Sequence, residues 1–324
     1  MNSINSTFKK FIDNKVNLDP NLTKVARKSR DYLLSNINAI TSHNDTFELC
    51  SDFNIYHGSF ARNTKIRPLD DIDLMIGISG ENYVYNYDGL NYKIIIKENG
   101  ERNRCLDNNI LNSRKVVEYF KSGLSLIPNY SCAEIHRNMQ AITLQLKTYP
   151  WNFDIVPCFY TTEKFYLIPD GYGNWKKTDP RIDKDRVTKL NQKYNGRLLE
   201  LIRLVKYLNS KHYFPKIPSY LLETIILNYY ETNIFYYEDI WNLDEELVKI
   251  FNYIGRVIIS SVEDYKKIQG NLNTLNVNDR EKVALKFQEF SILGKNAIEE
   301  KNSGNEKSAL KIWKNIFGEG FIID

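Results

Sequence analysis

Between residues 49 and 168 the chain breaks into short runs rich in Ile, Val, Tyr and Phe, separated by turn residues, and after Pro180 this texture gives way to helical spacing. That change constrains the fold more than any other feature. Short β-branched and aromatic runs bounded by turn residues read as strands. The expected strands are 52–57, 71–78, 92–97, 132–136, 140–147, 152–158 and 164–168, interrupted by a helix over 112–122. The stretch from Pro169 to Trp175, with two glycines, reads as a turn-rich loop. After Pro180 apolar residues recur every three to four positions, which predicts helices over 197–210, 218–230, 243–262, 279–300 and 305–315. Ahead of the strands, Leu22, Val25, Ala26, Leu33, Leu34, Ile37 and Ile40 fall mostly at helical spacing among Lys and Arg. A long amphipathic helix over 21–41, opening after Pro20, follows. The expected class is α+β: a sheet region with its N-terminal helix over 1–180, and a helical half over 181–324. A chain of 324 residues can bury one large core or two packed lobes.

Several function classes drop out on composition. No run of 18 apolar residues is present, so no membrane-spanning helix is expected. The opening MNSINSTFKKFIDNK lacks the apolar core of a secretory signal, and a cytoplasmic location is the expectation. Cys50, Cys105, Cys132 and Cys158 form no CxxC pair, which argues against a zinc knuckle and for reduced thiols. The charge sum is 44 − 40 = +4. This permits an anionic partner but lacks the clustered stripes of a protein that coats DNA.

The chemistry concentrates in His57-Gly-Ser-Phe-Ala-Arg-Asn-Thr-Lys-Ile-Arg-Pro-Leu-Asp-Asp-Ile-Asp-Leu-Met-Ile. In a strand, Asp71, Asp73 and Met75 face one way and Ile72, Leu74 and Ile76 the other. Two carboxylates projecting side by side repel one another unless something neutralises them, and a divalent cation does so. Mg²⁺ takes carboxylate oxygens together with substrate phosphates, so paired Asp on a strand fits a metal-dependent phosphoryl-transfer site. Gly58 and Ser59 lie upstream, Ser59 by 71 − 59 = 12 residues. A Gly-Ser turn after a strand can offer backbone N–H groups and a hydroxyl to phosphate oxygens.

This combination resembles the nucleotidyltransferase signature of the polymerase-β-like superfamily, and GSFARNTKIRPLDDIDLMI is most similar to the cGAS/DncV-like nucleotidyltransferases, bacterial second-messenger synthases of CBASS anti-phage systems. The resemblance, which covers about residues 20–230, implies a sheet lobe and a helical lobe with an active-site cleft between them. It implies a third metal-binding acid on a neighbouring strand, carried here by Asp154 in Trp151-Asn-Phe-Asp-Ile-Val-Pro. It implies two Mg²⁺ ions, with Mn²⁺ as a substitute, held by Asp71, Asp73 and Asp154, and phosphates cradled by Gly58 and Ser59. Lys206 in Leu204-Val-Lys-Tyr-Leu-Asn resembles the family's triphosphate lysine. Ser219 and Tyr220 in Ile217-Pro-Ser-Tyr-Leu-Leu-Glu resemble its phosphate-touching serine and base-stacking tyrosine. The implied activity is synthesis of a cyclic dinucleotide from two NTPs with release of pyrophosphate, a purine product such as cyclic di-GMP being preferred. The implied partners are NTPs and a downstream effector that binds the product, with the enzyme a monomer. The alternative on the same fold is an oligonucleotide-forming or RNA-end nucleotidyltransferase. The zinc insertion of the animal DNA sensor has no counterpart in the cysteine spacing, so activation by DNA is not expected.

Overall fold

A computed structural model describes residues 4–37, 47–98, 100, 103–232 and 241–322. The chain divides into two compact units. The sheet unit holds residues 20–63 and 68–184; the helical unit holds 1–19, 64–67 and 185–324. The division near residue 184 falls close to the texture change at Pro180. The assignment of the first 19 residues to the helical unit has no signal in that texture.

In the sheet unit, α2 (Pro20–Ile37) starts with Pro20 at its first turn, where a missing N–H costs nothing. Its buried stripe is Ala26, Ser29, Leu33 and Ile37, at spacings of three and four, while Val25 is exposed. Positions 38–41 of the expected helix lie outside the described residues. The short strand β1 (Ile55–His57) leads into one helical turn, α3 (Gly58–Ala61). The strands that follow are β2 (Asp71–Ile78), β3 (Tyr83–Tyr87), β4 (Tyr92–Ile96), β5 (Leu106–Asp107) and β6 (Ile110–Leu111). After α4 (Ser113–Ser125) come β7 (Glu134–Asn138), β8 (Ala141–Gln145), β9 (Asn152–Tyr160), β10 (Tyr166–Pro169) and β11 (Trp175–Thr178).

These eleven strands form one mixed sheet along the path β1-β2-β9-β10-β11-β4-β6-β5, with β3 on β4 and the β7–β8 hairpin on β9. The β2–β9 pair is parallel and every other pair antiparallel. Helix α4 covers one face with Val116, Val117, Phe120 and Leu124. On the other face Met75, Val156, Cys158, Tyr166 and Ile168 make an apolar cluster. Gly77, on the same face as Met75, is required by close approach. A Cβ there would stand 2.5 Å from the Cys50 carbonyl and 2.6 Å from Phe53 Cβ.

Three corrections to the strand reading have physical reasons. Residues 51–53 form a 3-10 turn, so the first strand is only Ile55–His57. The Pro169–Trp175 loop gives way to β11, a strand made by pairing with β10 and by Trp175 Nε1 donating to the Leu111 carbonyl. The strands β5 and β6 are two residues each, too short to announce themselves, and β3, Tyr-Val-Tyr-Asn-Tyr, lies outside the expected set although its residues favour strand.

The helical unit gathers α1 (Ile4–Phe11) with a π-turn over Ile12–Val16, most of α5 (Pro180–Lys193), α6 (Leu198–Lys211), α7 (Ser219–Thr232), α8 (Leu243–Val257), α9 (Val277–Asn302) and α10 (Glu306–Phe317). Phe8 packs edge-on against Trp313, Phe317 and Phe321, and Phe11 against Tyr207. The chain's first helix is thereby built into the core of its last one. Gly294 of α9 lets α8 and α10 approach: a Cβ there would lie 2.6 Å from Val248 and 3.2 Å from Trp313. Gly294→Val should therefore destabilise the protein by about 1–3 kcal/mol through overpacking. Urea unfolding followed by far-UV circular dichroism measures this, and an unchanged midpoint would refute the tight crossing.

Candidate active site

The parallel register of β2 and β9 sets Asp71 opposite Asn152 and Asp73 opposite Asp154. Paired residues on adjacent strands share a face, so Asp73 and Asp154 stand side by side, with Asp71 two residues before Asp73. All three are partly exposed, while their alternating neighbours Ile72, Leu74, Phe153 and Ile155 are buried. Further along the same face, Met75, Val156 and Cys158 are buried. The acids thus occupy the open end of a face whose other end is core.

Two antiparallel neighbours finish the arrangement. From β8, Thr143 is the register partner of Asp154 and donates its hydroxyl to Asp154 Oδ1 at 2.6 Å. From β1, His57 pairs with Asp73. The His57 Nε2 is shielded from solvent and has no hydrogen-bond partner among the described residues. Burial, reinforced by the Arg62 charge, lowers its pKa to about 4 against a backbone bond to Leu74. The imidazole is therefore neutral at pH 7 and adds no positive charge beside Asp73. The neutral ring contributes stability that is fully present above about pH 6.5 and is lost as pH falls through about 4.

Gly58 follows at φ +72°, in the left-handed region. A Cβ at this position would lie 1.7 Å from Asp73 Oδ2, so only glycine lets the backbone pass so close to the carboxylate. Ser59 comes next in the single turn α3, which closes with the Arg62 N–H on the Gly58 carbonyl. The sheet unit thus brings together five of the residues singled out in the sequence: Gly58, Ser59, Asp71, Asp73 and Asp154.

In the helical unit the remaining three occupy two settings. Lys206 is buried on α6, and its ammonium sits 2.7 Å from Glu223 Oε1 of α7, which also accepts the Thr64 hydroxyl at 2.9 Å. A lysine expected to face a triphosphate thus has a buried carboxylate partner. Burial of an ion pair is tolerated only with such close partners. Ser219 is exposed at the first position of α7, and Tyr220 follows it. The Tyr220 hydroxyl donates to Asp264 Oδ1 at 2.8 Å, and the Lys266 ammonium lies 4.3 Å from the centre of its ring. Asp264 also accepts backbone N–H groups from Lys266, Ile268 and Gln269, which closes the 264–269 loop. Thr143, Asp264 and Lys266 lie outside the recognised motifs, and Glu223 closes the Ile217-to-Glu223 motif with no role assigned to it there. Their roles arise from strand pairing and helix packing, for which one sequence gives no spacing rule.

The donor chemistry suits a hard divalent cation, since carboxylate oxygens are its preferred ligands. Among the described residues, no group of three or more His, Cys, Asp or Glu side chains is arranged to hold a metal ion by itself. The glycine at 58 is what lets the backbone lie against Asp73. The four cysteines are free thiols, and no helix among the described residues is long and apolar enough to cross a membrane.

No family model matches the chain. It is 43% identical over 331 residues to a Bacillus cereus (strain VD146) protein named as a probable cyclic nucleotide synthase, covering 98% of this chain and 97% of that one. It is 22% identical to the cyclic AMP-AMP-AMP synthase of Escherichia coli (strain MS 115-1), over 76% of this chain and 70% of that one. Among solved structures, E. coli MS115-1 CdnC with ATP superposes with a TM-score of 0.71 at 16% identity over 98% of both chains. The apo form of Vibrio cholerae DncV does so with a TM-score of 0.72 at 12% identity, over 99% of this chain and 96% of that one. These two show a shared fold. Together with the nearly full-length match to the B. cereus protein, they show that the chain belongs to the cGAS/DncV-like nucleotidyltransferases.

Proposed function

We propose that this protein condenses NTPs into a cyclic oligonucleotide, with two purine NTPs closing to a cyclic dinucleotide such as cyclic di-GMP as the finer reading. The observation that carries it is the register pair Asp73–Asp154 beside the glycine at 58. Synthases named for both cyclic nucleotides and a cyclic trinucleotide are among its relatives, which supports ring closure as the reaction class. The product would serve as a second messenger in CBASS defence, read by an effector that binds it.

Asp71, Asp73 and Asp154 are the residues that would hold Mg²⁺, whose chemistry is to neutralise charge on the attacking and leaving oxygens. Gly58 gives the backbone its close approach to Asp73, and Ser59 offers N–H and hydroxyl donors to the β and γ oxygens of the donor triphosphate. Asp154, oriented by Thr143, accepts the proton of the acceptor ribose hydroxyl. Attack on the α-phosphorus forms the new P–O bond and expels pyrophosphate; a second attack closes the ring. Ser219 and Tyr220 contact phosphate and base in the helical unit. Lys206 acts on the triphosphate while tied to Glu223. Most of the rate comes from positioning and charge stabilisation.

Incubation with each NTP pair and Mg²⁺, followed by phosphatase treatment and mass spectrometry, tests this. A phosphatase-resistant cyclic product supports it, while incorporation only into added RNA would establish the RNA-end alternative. Asp71→Asn/Asp73→Asn should lower turnover about 1,000-fold or more with an unchanged melting temperature. Pyrophosphate release at wild-type rate from that variant would sink the site. Chelation by EDTA should stop product formation, and added Mg²⁺ or Mn²⁺ should restore it. Gly58→Ala displaces Asp73 by about an ångström and should cost about 100-fold in kcat.

A further inference from the structure

A second concave site lies in the sheet unit, with none of its lining residues on β1, β2 or β9. It is a cavity of about 670 Å³ between the first turns of α4, Arg104 and Cys105, Arg137 of β7 and Tyr172. The strands β5 and β6 beside it close the edge of the sheet opposite β1. Its size falls in the range of small-molecule sites.

Four cations line it: Arg104, Arg114, Lys115 and Arg137. Two of them are already neutralised. Lys115 pairs with Asp107, and Arg137 Nε lies 3.1 Å from Glu118. Among the described residues, Arg104 and Arg114 have no carboxylate partner; the Arg104 guanidinium lies 5.1 Å from the centre of the buried Tyr119 ring. The N–H groups of Arg114 and Lys115 are taken by the Asn112 side chain, and that of Ser113 by the Gly173 carbonyl. An anion here would therefore be held by the two guanidinium groups and not by the end of the helix. Two guanidinium groups with no carboxylate partner among the described residues match one dianion, and a planar guanidinium grips phosphate in two-point fashion.

The aromatic half of the site is Tyr172, which is 75% exposed. Its loop is stiff. Asp170 Oδ1 accepts the N–H groups of Tyr172, Gly173 and Asn174 at 2.7, 3.0 and 3.1 Å, and Gly171 and Gly173 adopt φ of +92° and +120°. A tyrosine held out at the rim of a basic cavity by a fixed loop is a ready stacking surface for a planar ring.

We propose that this cavity binds a nucleoside monophosphate, its phosphate dianion on Arg104 and Arg114 and its base against Tyr172. The site is separate from the catalytic acids and does not rest on the proposed activity. The test is photolabelling of the full chain with 8-azido-AMP in EDTA, with the adduct mapped by peptide mass spectrometry. The adduct should fall on the segment containing Tyr172, and excess AMP should suppress it. Labelling should drop about tenfold or more in Arg104→Gln/Arg114→Gln, and comparably in Tyr172→Ala. All three side chains are exposed, so a melting curve should show both variants folded. Asp71→Asn/Asp73→Asn should label like the wild type, which distinguishes this site from the catalytic one. An adduct confined to segments bearing Asp71, Asp154 or Lys206 would overturn the proposal. So would Tyr172 labelling that persists in the double arginine variant. Competition by inorganic phosphate equal to that by AMP, or by short RNA where AMP fails, would reject a nucleotide as the ligand.

Discussion

The sheet unit depends on one pairing, the parallel register of β2 with β9. It puts Asp73 beside Asp154 and, on the same face, Met75, Val156 and Cys158 into core. A slip by one residue would turn every side chain to the opposite face, burying the acids and exposing the apolar set. The same hydrophobic burial that fixes the sheet therefore fixes the spacing of the carboxylates. The antiparallel neighbours β1 and β8 depend on that register in turn, because His57 and Thr143 meet Asp73 and Asp154 only when it holds.

The two units handle buried and crowded charge differently. In the helical unit, Lys206 is balanced inside the protein by Glu223, whose carboxylate also accepts the Thr64 hydroxyl. In the sheet unit, three acids gather at a partly exposed end, with a neutral histidine alongside and no imidazolium to offset them. Carboxylates gathered at a partly exposed strand end are ligands of the type a hard divalent cation takes, and the proposed function supplies one along with the triphosphate.

Much of this was legible in the sequence, and the exceptions share a cause. Alternation of Asp and Ile over 71–74 marked β2 and its acid face, and Asp154 between Phe153 and Ile155 marked its partner. Gly58 stood out as a motif residue, but its need for glycine comes from Asp73, 73 − 58 = 15 positions on. Thr143 and Asp264 gave no local signal, and Glu223 stood in a recognised motif with no hint of its role, since each matters through a partner set by tertiary pairing. The strands β5, β6 and β11 exist because neighbours pair with them, not because their own residues demand it. The N-terminal helix shows an apolar set at Ile4, Phe8, Phe11 and Ile12, but nothing in that spacing says it belongs with Trp313 and Phe321.

The central claim is that Asp73 and Asp154 act as one cation site. Binding of Mn²⁺, followed by electron paramagnetic resonance in the presence of a non-hydrolysable NTP analogue, tests it most directly. The account predicts that Asp73→Asn and Asp154→Asn each weaken Mn²⁺ binding about tenfold or more, and that the double variant loses little beyond either single one, because both remove the same site. Mn²⁺ affinity unchanged in both single variants would contradict it.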